Sequence, residues 1–273
     1  MKRVILTGTL VTFVLGLMAT SVYAESKRLV IQGSTTVLPI AQKAAEVFMQ
    51  KNPQADISVR GGGSGTGIAA LIDGICDIAN SSRPIKDKEL NKAVDRKVDP
   101  TAHVVAMDGI AVIVHPLNPV NELTISQIKD IYTGKISNWS KLGGRNQKIV
   151  VVSRDVASGT YEAFSKLALK KQRVRPDALL QASNMAVASV VKRTEGAIGY
   201  VGLGYLSSEV KAVIVGGVEP SVETVLKGAY PISRPLFMYT NGKPKGLAKD
   251  FIEFVLSQEG QRIVKEQGFV SLK

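Results

Sequence analysis

Cysteine and histidine are almost missing from this chain. Its 273 residues hold one cysteine, two histidines and one tryptophan, and aromatic residues make up 5%. A single cysteine excludes an internal disulfide. Cys76, in Gly74-Ile75-Cys76-Asp77-Ile78, reads as a small buried core residue. His103 and His115 lie in or beside an apolar run, and no His/Cys cluster has metal-ligand spacing, which excludes a zinc-type site. Two motifs are also missing. No G-x-x-x-x-G-K-[ST] occurs, since Ile68 and Ala69 follow Gly67 where the lysine and hydroxyl belong, and this argues against a phosphate-transfer ATPase. No G-x-S-x-G elbow occurs either: Thr66 breaks it at Ser64, and the first glycine is missing before Ser158. Beyond residue 24 no apolar run approaches the roughly twenty residues that span a bilayer. The formal charge is +12. Its basic residues are not interleaved with aromatics; the densest group, Lys166 to Arg175, reads as a solvated helix face and end rather than a nucleic-acid surface.

The first 24 residues read as a targeting segment. Lys2-Arg3 is a short basic region, Val4 to Met18 is apolar, and Val22-Tyr23-Ala24 offers a small-residue cleavage site. The expectation is a secretory leader over 1–24, with the working chain starting near Glu25 outside the cytoplasm, in the periplasm of a two-membrane bacterium. No cysteine lies near the cleavage site, so no lipid anchor is expected.

What the chain does have is a repeated junction. The strand Ile149-Val150-Val151-Val152 runs into Arg154-Asp155-Val156-Ala157-Ser158-Gly159-Thr160 and then into a helix that reads as Tyr161 to Leu169. A helix start leaves about four backbone N–H groups without intrahelical partners and carries roughly half a positive charge from the helix dipole. Glycine allows close approach, hydroxyls donate, and Arg154 adds a full charge: the chemistry of a tetrahedral oxyanion site. An ordinary N-cap at Ser158 accounts for one such junction, but there are two more. Gly33-Ser34-Thr35-Thr36 follows Arg28-Leu29-Val30-Ile31 and precedes a helix from about Pro39. Gly61 to Gly67 follows Ile57-Ser58-Val59 and precedes a helix over Ile68 to Ile72. Gly65-Thr66-Gly67-Ile68-Ala69-Ala70 also fits a loose dinucleotide pattern, a weak signal alone. Three junctions rich in glycine and hydroxyls imply one ligand shared between helix N-termini.

Strands and helices alternate along the rest of the chain. Strands are expected at Cys76–Ala79, 103–114 with an interruption at Asp108-Gly109, 196–201, 212–215 and 235–239. Helices are expected at 86–94, 124–132, 184–193, 246–256 and 260–267. The pattern predicts an α/β architecture with mainly parallel sheets.

The ordered motifs then become specific. Gly33 to Thr36, Gly63-Ser64-Gly65-Thr66, Ser81-Ser82-Arg83-Pro84, Asp108-Gly109-Ile110-Ala111-Val112, Ile131 to Trp139, Arg154 to Thr160 and Gly196 to Tyr200 resemble the substrate-binding proteins of Pst-type phosphate ABC importers, in their shorter form. The resemblance covers essentially the whole chain after the leader. It implies a type II periplasmic-binding-protein fold: two α/β, Rossmann-like lobes with a phosphate cleft between them. Two chain crossings, placed near 106–109 and 232–235, divide the chain into 25–106 plus 235–273 and 107–234. It also implies a non-enzymatic, monomeric receptor with no cofactor or metal, whose partners are inorganic phosphate and a membrane permease, not nucleic acid. Residue by residue, Thr35 and Thr36 match the family's first phosphate loop, Ser64 the second, and Arg154, Ser158, Gly159 and Thr160 the third. Ser82 matches the position where long-form members carry an aspartate that accepts the proton of hydrogenphosphate and so rejects sulfate. With serine there, Asp108 becomes the expected acceptor, and a sulfate or molybdate receptor is the alternative. A phosphatase-type enzyme is a further alternative that lacks a base, nucleophile or metal cluster. Arg83 is the second candidate cation, against a simple ion pair at the lobe surface.

Overall fold

A computed structural model describes residues 27–273; the leader read over 1–24 lies outside them. In chain order the elements are β1 (Lys27–Gly33), α1 (Leu38–Lys51), β2 (Ala55–Arg60), α2 (Ser64–Ile72), β3 (Ile78–Ser81), α3 (Asp87–Asp95) and β4 (Pro100–Val114). Then come β5 (Glu122–Leu123), α4 (Ile125–Tyr132), β6 (Val150–Arg154), α5 (Gly159–Leu167), β7 (Leu179–Gln181), α6 (Asn184–Arg193) and β8 (Ala197–Gly202). β9 (Lys211–Ala212), β10 (Ile214–Val215), α7 (Val222–Leu226), β11 (Ser233–Asn241), α8 (Gly246–Leu256) and α9 (Gln258–Glu266) complete the chain.

The main sheet runs β2-β1-β3-β11-β4-β8-β6-β7, with β9 also on β4. β1 pairs parallel with β2 and β3, and β6 pairs parallel with β7 and β8. β4 and β11 run antiparallel to each other and to their other neighbours, so the sheet is mixed where mainly parallel pairing was expected. The reason is connectivity: the chain passes through the middle of the sheet twice, in opposite directions.

Two main hydrophobic cores hang from this sheet, with two smaller clusters beside α2. One packs Leu29, Ile31, Ile40, Phe48, Met238 and Phe251; the other packs Val112, Ile128, Tyr132, Trp139, Phe164 and Val201. β4 serves both. Val105 and Ala106 enter the first core and Ile110 to Val114 the second. The structure around each core is called a lobe below. Asp108 lies between the cores, and its partner in the strand register is Arg234. That pairing explains why β4 is unbroken where the sequence suggests an interruption: the buried charge is answered across the ladder. Gly109 leaves room for a close approach, since a Cβ there would lie 2.8 Å from Val225 Cγ2 on α7.

In the second lobe an aromatic group braces the junction that follows β6. The Phe164 and Tyr200 rings stack at 4.0 Å, and Tyr132 meets Phe164 edge-on at 4.9 Å. Such pairs contribute about 0.5–1.5 kcal/mol beyond burial. The Tyr200 hydroxyl bonds Ser153 Oγ at 2.9 Å and accepts the Arg154 N–H at 3.1 Å. Packing in the core thereby positions the backbone of Arg154.

Candidate anion site between helix N-termini

The three junctions converge from opposite lobes. On the first lobe, Ser34 Oγ accepts the Thr36 N–H at 3.1 Å, and the Gly63 N–H donates to Gly33 O at 2.9 Å, which ties the first two loops together. α2 begins at Ser64, earlier than the sequence predicts, because Gly63 at φ +99° turns the chain directly into the helix. Ser64 is fully buried, and its Oγ accepts the Ser82 N–H at 3.0 Å and lies 3.3 Å from Ser82 Oγ. On the second lobe, α5 begins at Gly159, with Ser158 as N-cap accepting the Tyr161 N–H at 3.2 Å. That bond uses only the oxygen of Ser158, so its hydroxyl hydrogen remains for a ligand.

Contacts across the cleft are close. Thr36 Oγ1 and Thr160 Oγ1 are 2.9 Å apart, and the Gly65 N–H donates to Ala157 O at 2.9 Å. A Cβ on Gly159 would lie 2.2 Å from Ser64 Oγ and 2.7 Å from Ser82 Oγ. Only glycine lets the α5 N-terminus approach those two serines. The two lobes are closed on each other here. A cavity of about 700 Å³, lined by Gln258, Arg262 and Lys273 among others, lies elsewhere, on the open surface of α9.

Arg154 is 2% exposed. Its Nε donates to Gln181 O and its Nη2 to Ala182 O, both at 3.0 Å. Nη1 is buried and has no protein partner among the described residues. Burial holds its pKa below the usual arginine value, with Tyr200 and Asp155 opposing; an arginine remains charged all the same. No carboxylate pairs with it among the described residues. A buried, uncompensated cation with an unused donor is costly unless an anion meets it.

Two expected site residues have protein partners in this structure. Arg83 is buried, but its Nη1 and Nη2 clamp Glu89 at 2.8 and 2.7 Å, and its Nε lies 2.9 Å from Glu162 on the opposite lobe. The guanidinium is committed to these two carboxylates as a cross-lobe ion pair. Asp108 was expected to meet the ligand's proton. Its Oδ2 instead accepts from Arg234 Nε and Nη2 at 3.2 and 2.9 Å, and its Oδ1 accepts the Leu203 N–H at 3.0 Å. Three of its roughly four acceptor positions are filled. Burial pushes its pKa up and Arg234 opposes that shift. Asp108 is the counter-ion of Arg234, which leaves Arg154 as the net buried charge.

Arg234 and Asn184 were not anticipated. Arg234, on β11, donates to Ser82 O at 3.1 Å, Thr160 Oγ1 at 3.0 Å and Thr36 Oγ1 at 3.3 Å. Its only trace in the sequence is a charge inside the apolar stretch Ile232 to Met238. Asn184 opens α6, so a fourth helix N-terminus points at the same place. Its Nδ2 donates to Thr35 Oγ1 and Thr36 Oγ1, both at 3.1 Å. The sequence hid this junction because the preceding strand, β7, has only three residues. Thr35, Thr36, Ser64, Ser82, Ser158, Gly159 and Thr160 thus gather between the lobes, with Arg154 beside them.

Comparison with known proteins gives the family. A family profile described as a PBP superfamily domain matches residues 19–259. The Phosphate-binding protein PstS of Bacillus subtilis is 39% identical over 249 residues, 90% of this chain and 81% of that one. The chain belongs to the PBP superfamily, among the PstS phosphate-binding proteins. The PstS of Staphylococcus epidermidis is 35% identical over 254 residues, 88% of this chain and 77% of that one. Among solved structures, an ABC transporter substrate-binding protein from Clostridium perfringens with bound phosphate superposes with a TM-score of 0.85 at 38% identity, covering 90% of this chain and all of that one. A phosphate transport receptor from Vibrio cholerae gives 0.73 at 32% identity, covering 89% and 99%. The fold of this chain is accordingly the mixed α/β fold of that family.

Proposed function

We infer that this chain is a non-enzymatic receptor that captures inorganic phosphate between its lobes, outside the cytoplasm, and delivers it to a membrane ABC importer. The observation that carries this reading is the unpartnered buried Nη1 of Arg154, set among hydroxyls and helix N-termini from both lobes. Phosphate offers acceptor oxygens to all of them. Each hydrogen bond to a charged group contributes about 1.5–3 kcal/mol, and fixed N–H donors at helix starts need no reorganisation. The relatives named as phosphate-binding proteins, one solved with phosphate, support the same ligand. Among the described residues no helix is long and apolar enough to cross a membrane.

Two readings compete. A sulfate or molybdate receptor draws on the serine at position 82 and on the commitment of Asp108 to Arg234. A phosphatase draws on the same loops. Calorimetric titration with phosphate, sulfate and molybdate, beside turnover of a chromogenic phosphomonoester, separates all three. Saturable one-to-one phosphate binding without turnover is expected. Arg154→Ala is expected to weaken phosphate by about two orders of magnitude or more, since removing one partner of a buried charge pair costs roughly 2–5 kcal/mol. A folded Arg154→Ala protein with unchanged affinity removes Arg154 from the site.

A further inference from the structure

Beside the cleft, the second lobe carries a groove that reaches the same buried arginine. Its volume is about 320 Å³, and Arg154, Val156, Tyr161, Arg173, Arg175 and Leu180 are among the residues that line it. Small-ligand pockets run from roughly 300 to 1,000 Å³. No carboxylate lines this one. Arg175 holds Asp177 through Nε and Nη2 at 2.5 and 2.7 Å, and its Nη1 is buried without a partner among the described residues. Arg154 Nη1 is in the same condition. Arg173 is exposed and has no ion-pair partner among the described residues. Lys170 and Lys171, just before it, are also exposed, in a turn where the Lys171 N–H donates to Ser165 O at 2.7 Å. The walls are apolar at the mouth: Val156 is 83% exposed and Leu180 61%. The densest basic stretch of the sequence therefore ends against a groove that leads to the net buried charge of the site.

We propose that this groove is an outer capture site for phosphate, in which Arg173, with Lys170 and Lys171, draws the anion toward Arg154 before the lobes close. All its lining residues lie between 154 and 180, on the second lobe, so the groove does not need the first lobe in place. A cleft lined by one sign of charge, with low-dielectric walls, focuses the field and raises association rates by about 10–10³. Burial divides the labour among the cations. Exposed charges at a rim set the association rate and its salt dependence, whereas a buried, hydrogen-bonded charge sets the dissociation rate. Arg173, Lys170 and Lys171 are charges of the first kind and Arg154 is one of the second. The groove thus speeds capture and leaves the final grip to the closed site. The inference rests on the phosphate reading above.

The test times association and dissociation of radiolabelled phosphate by rapid filtration, at low and at physiological salt. One variant combines Lys170→Asn, Lys171→Asn and Arg173→Gln. Lys170 and Lys171 sit at φ +50° and +63°, a region asparagine tolerates, so the turn is kept. A second variant removes the same charge elsewhere, by Lys243→Gln, Lys245→Gln and Lys265→Gln, all exposed positions of the first lobe. At low salt the first variant is expected to associate about tenfold more slowly than wild type, with dissociation changed by less than about twofold. Its association is also expected to depend less on salt. The second variant is expected to lose less than about threefold in association, because its charges lie far from the groove. Unchanged association in the first variant overturns the proposal. So does an equal loss in the second, which makes net charge the cause, and so does faster dissociation in the first, which places those side chains in the final site. Wild-type protein that fails to bind phosphate overturns the functional reading and this proposal together. Phosphate binding with unaltered association in the first variant overturns the capture role alone.

Discussion

Arg154 and Arg234 are both buried, yet their surroundings give them different functions. Arg154 has backbone carbonyls for company and a spare donor; Arg234 has a carboxylate. The difference decides what a substitution at Asp108 does. Asp108→Asn leaves Arg234 charged, buried and without its counter-ion. Breaking a buried pair by removing one partner costs roughly 3–5 kcal/mol. The expected outcome in urea unfolding is a large loss of stability, seen without ligand, and not a clean exchange of phosphate for sulfate preference. An Asp108→Asn protein of wild-type stability with altered anion preference would restore the proton-acceptor role read from the sequence. The sequence alone pointed to Asp108 because it was the carboxylate available once serine stood at 82; its partner lies 126 residues away and was invisible to local reading.

At the scale of elements, most of what holds the site was legible and most of what closes it was not. The glycine and hydroxyl loops announced three helix starts, and α6 and α8 fall where apolar spacing put them. The short elements β5, β7 and α7 escaped, since two to five residues carry no period. With β7 went the carbonyls that orient Arg154 and the entry to Asn184. Two predictions belong to helix ends. Ser158 is both the cap of α5 and a ligand candidate. Ser158→Ala is expected to cost about 0.5–2 kcal/mol of stability as a lost cap and also to weaken phosphate roughly tenfold or more. Lost stability with unchanged affinity, measured by melting and titration on one sample, leaves it a cap only. At the start of α3, Glu89 accepts from Arg83 and from the Lys86 N–H at 2.9 Å. Burial, the largest single influence, pushes its pKa up, but those bonds and the charges of Arg83 and Lys86 outweigh it and leave it below 4.5. A depressed carboxylate stabilises the fold above its unfolded value, about 4.3, and that contribution is lost as pH falls through the folded value. The melting gap between wild type and Glu89→Gln is expected to be largest above about pH 5 and to narrow below about pH 4; a gap that widens on acidification contradicts the assignment.

For the whole molecule, the contacts across the cleft describe a closed form. Glu162 of the second lobe meets Arg83 and Lys86 of the first, while Thr36 meets Thr160 and the Tyr205 hydroxyl donates to Thr35 O. A ligand shifts an open–closed equilibrium only if its contacts differ between the two forms, and an anion held by donors from both lobes meets that condition. The two crossings, at 108–109 on β4 and 233–234 on β11, sit where the cores divide and are the proposed hinge. Glu162 is partly exposed, so its ion pairs contribute modestly. Glu162→Gln is expected to leave the free protein less compact in small-angle scattering, to reach wild-type compactness with phosphate, and to weaken binding by less than about tenfold. Equal compactness of the two free proteins would remove the pair from closure.

Whether both lobes bind one phosphate at once is read most directly from a crystal structure of the protein grown with phosphate. One tetrahedral anion is expected between the lobes, bonded by Arg154 Nη1, by the hydroxyls of Ser158 and Thr160, and by the loops of Thr35, Thr36 and Ser64. A phosphate bound to one lobe alone, or lodged away from Arg154, would contradict it.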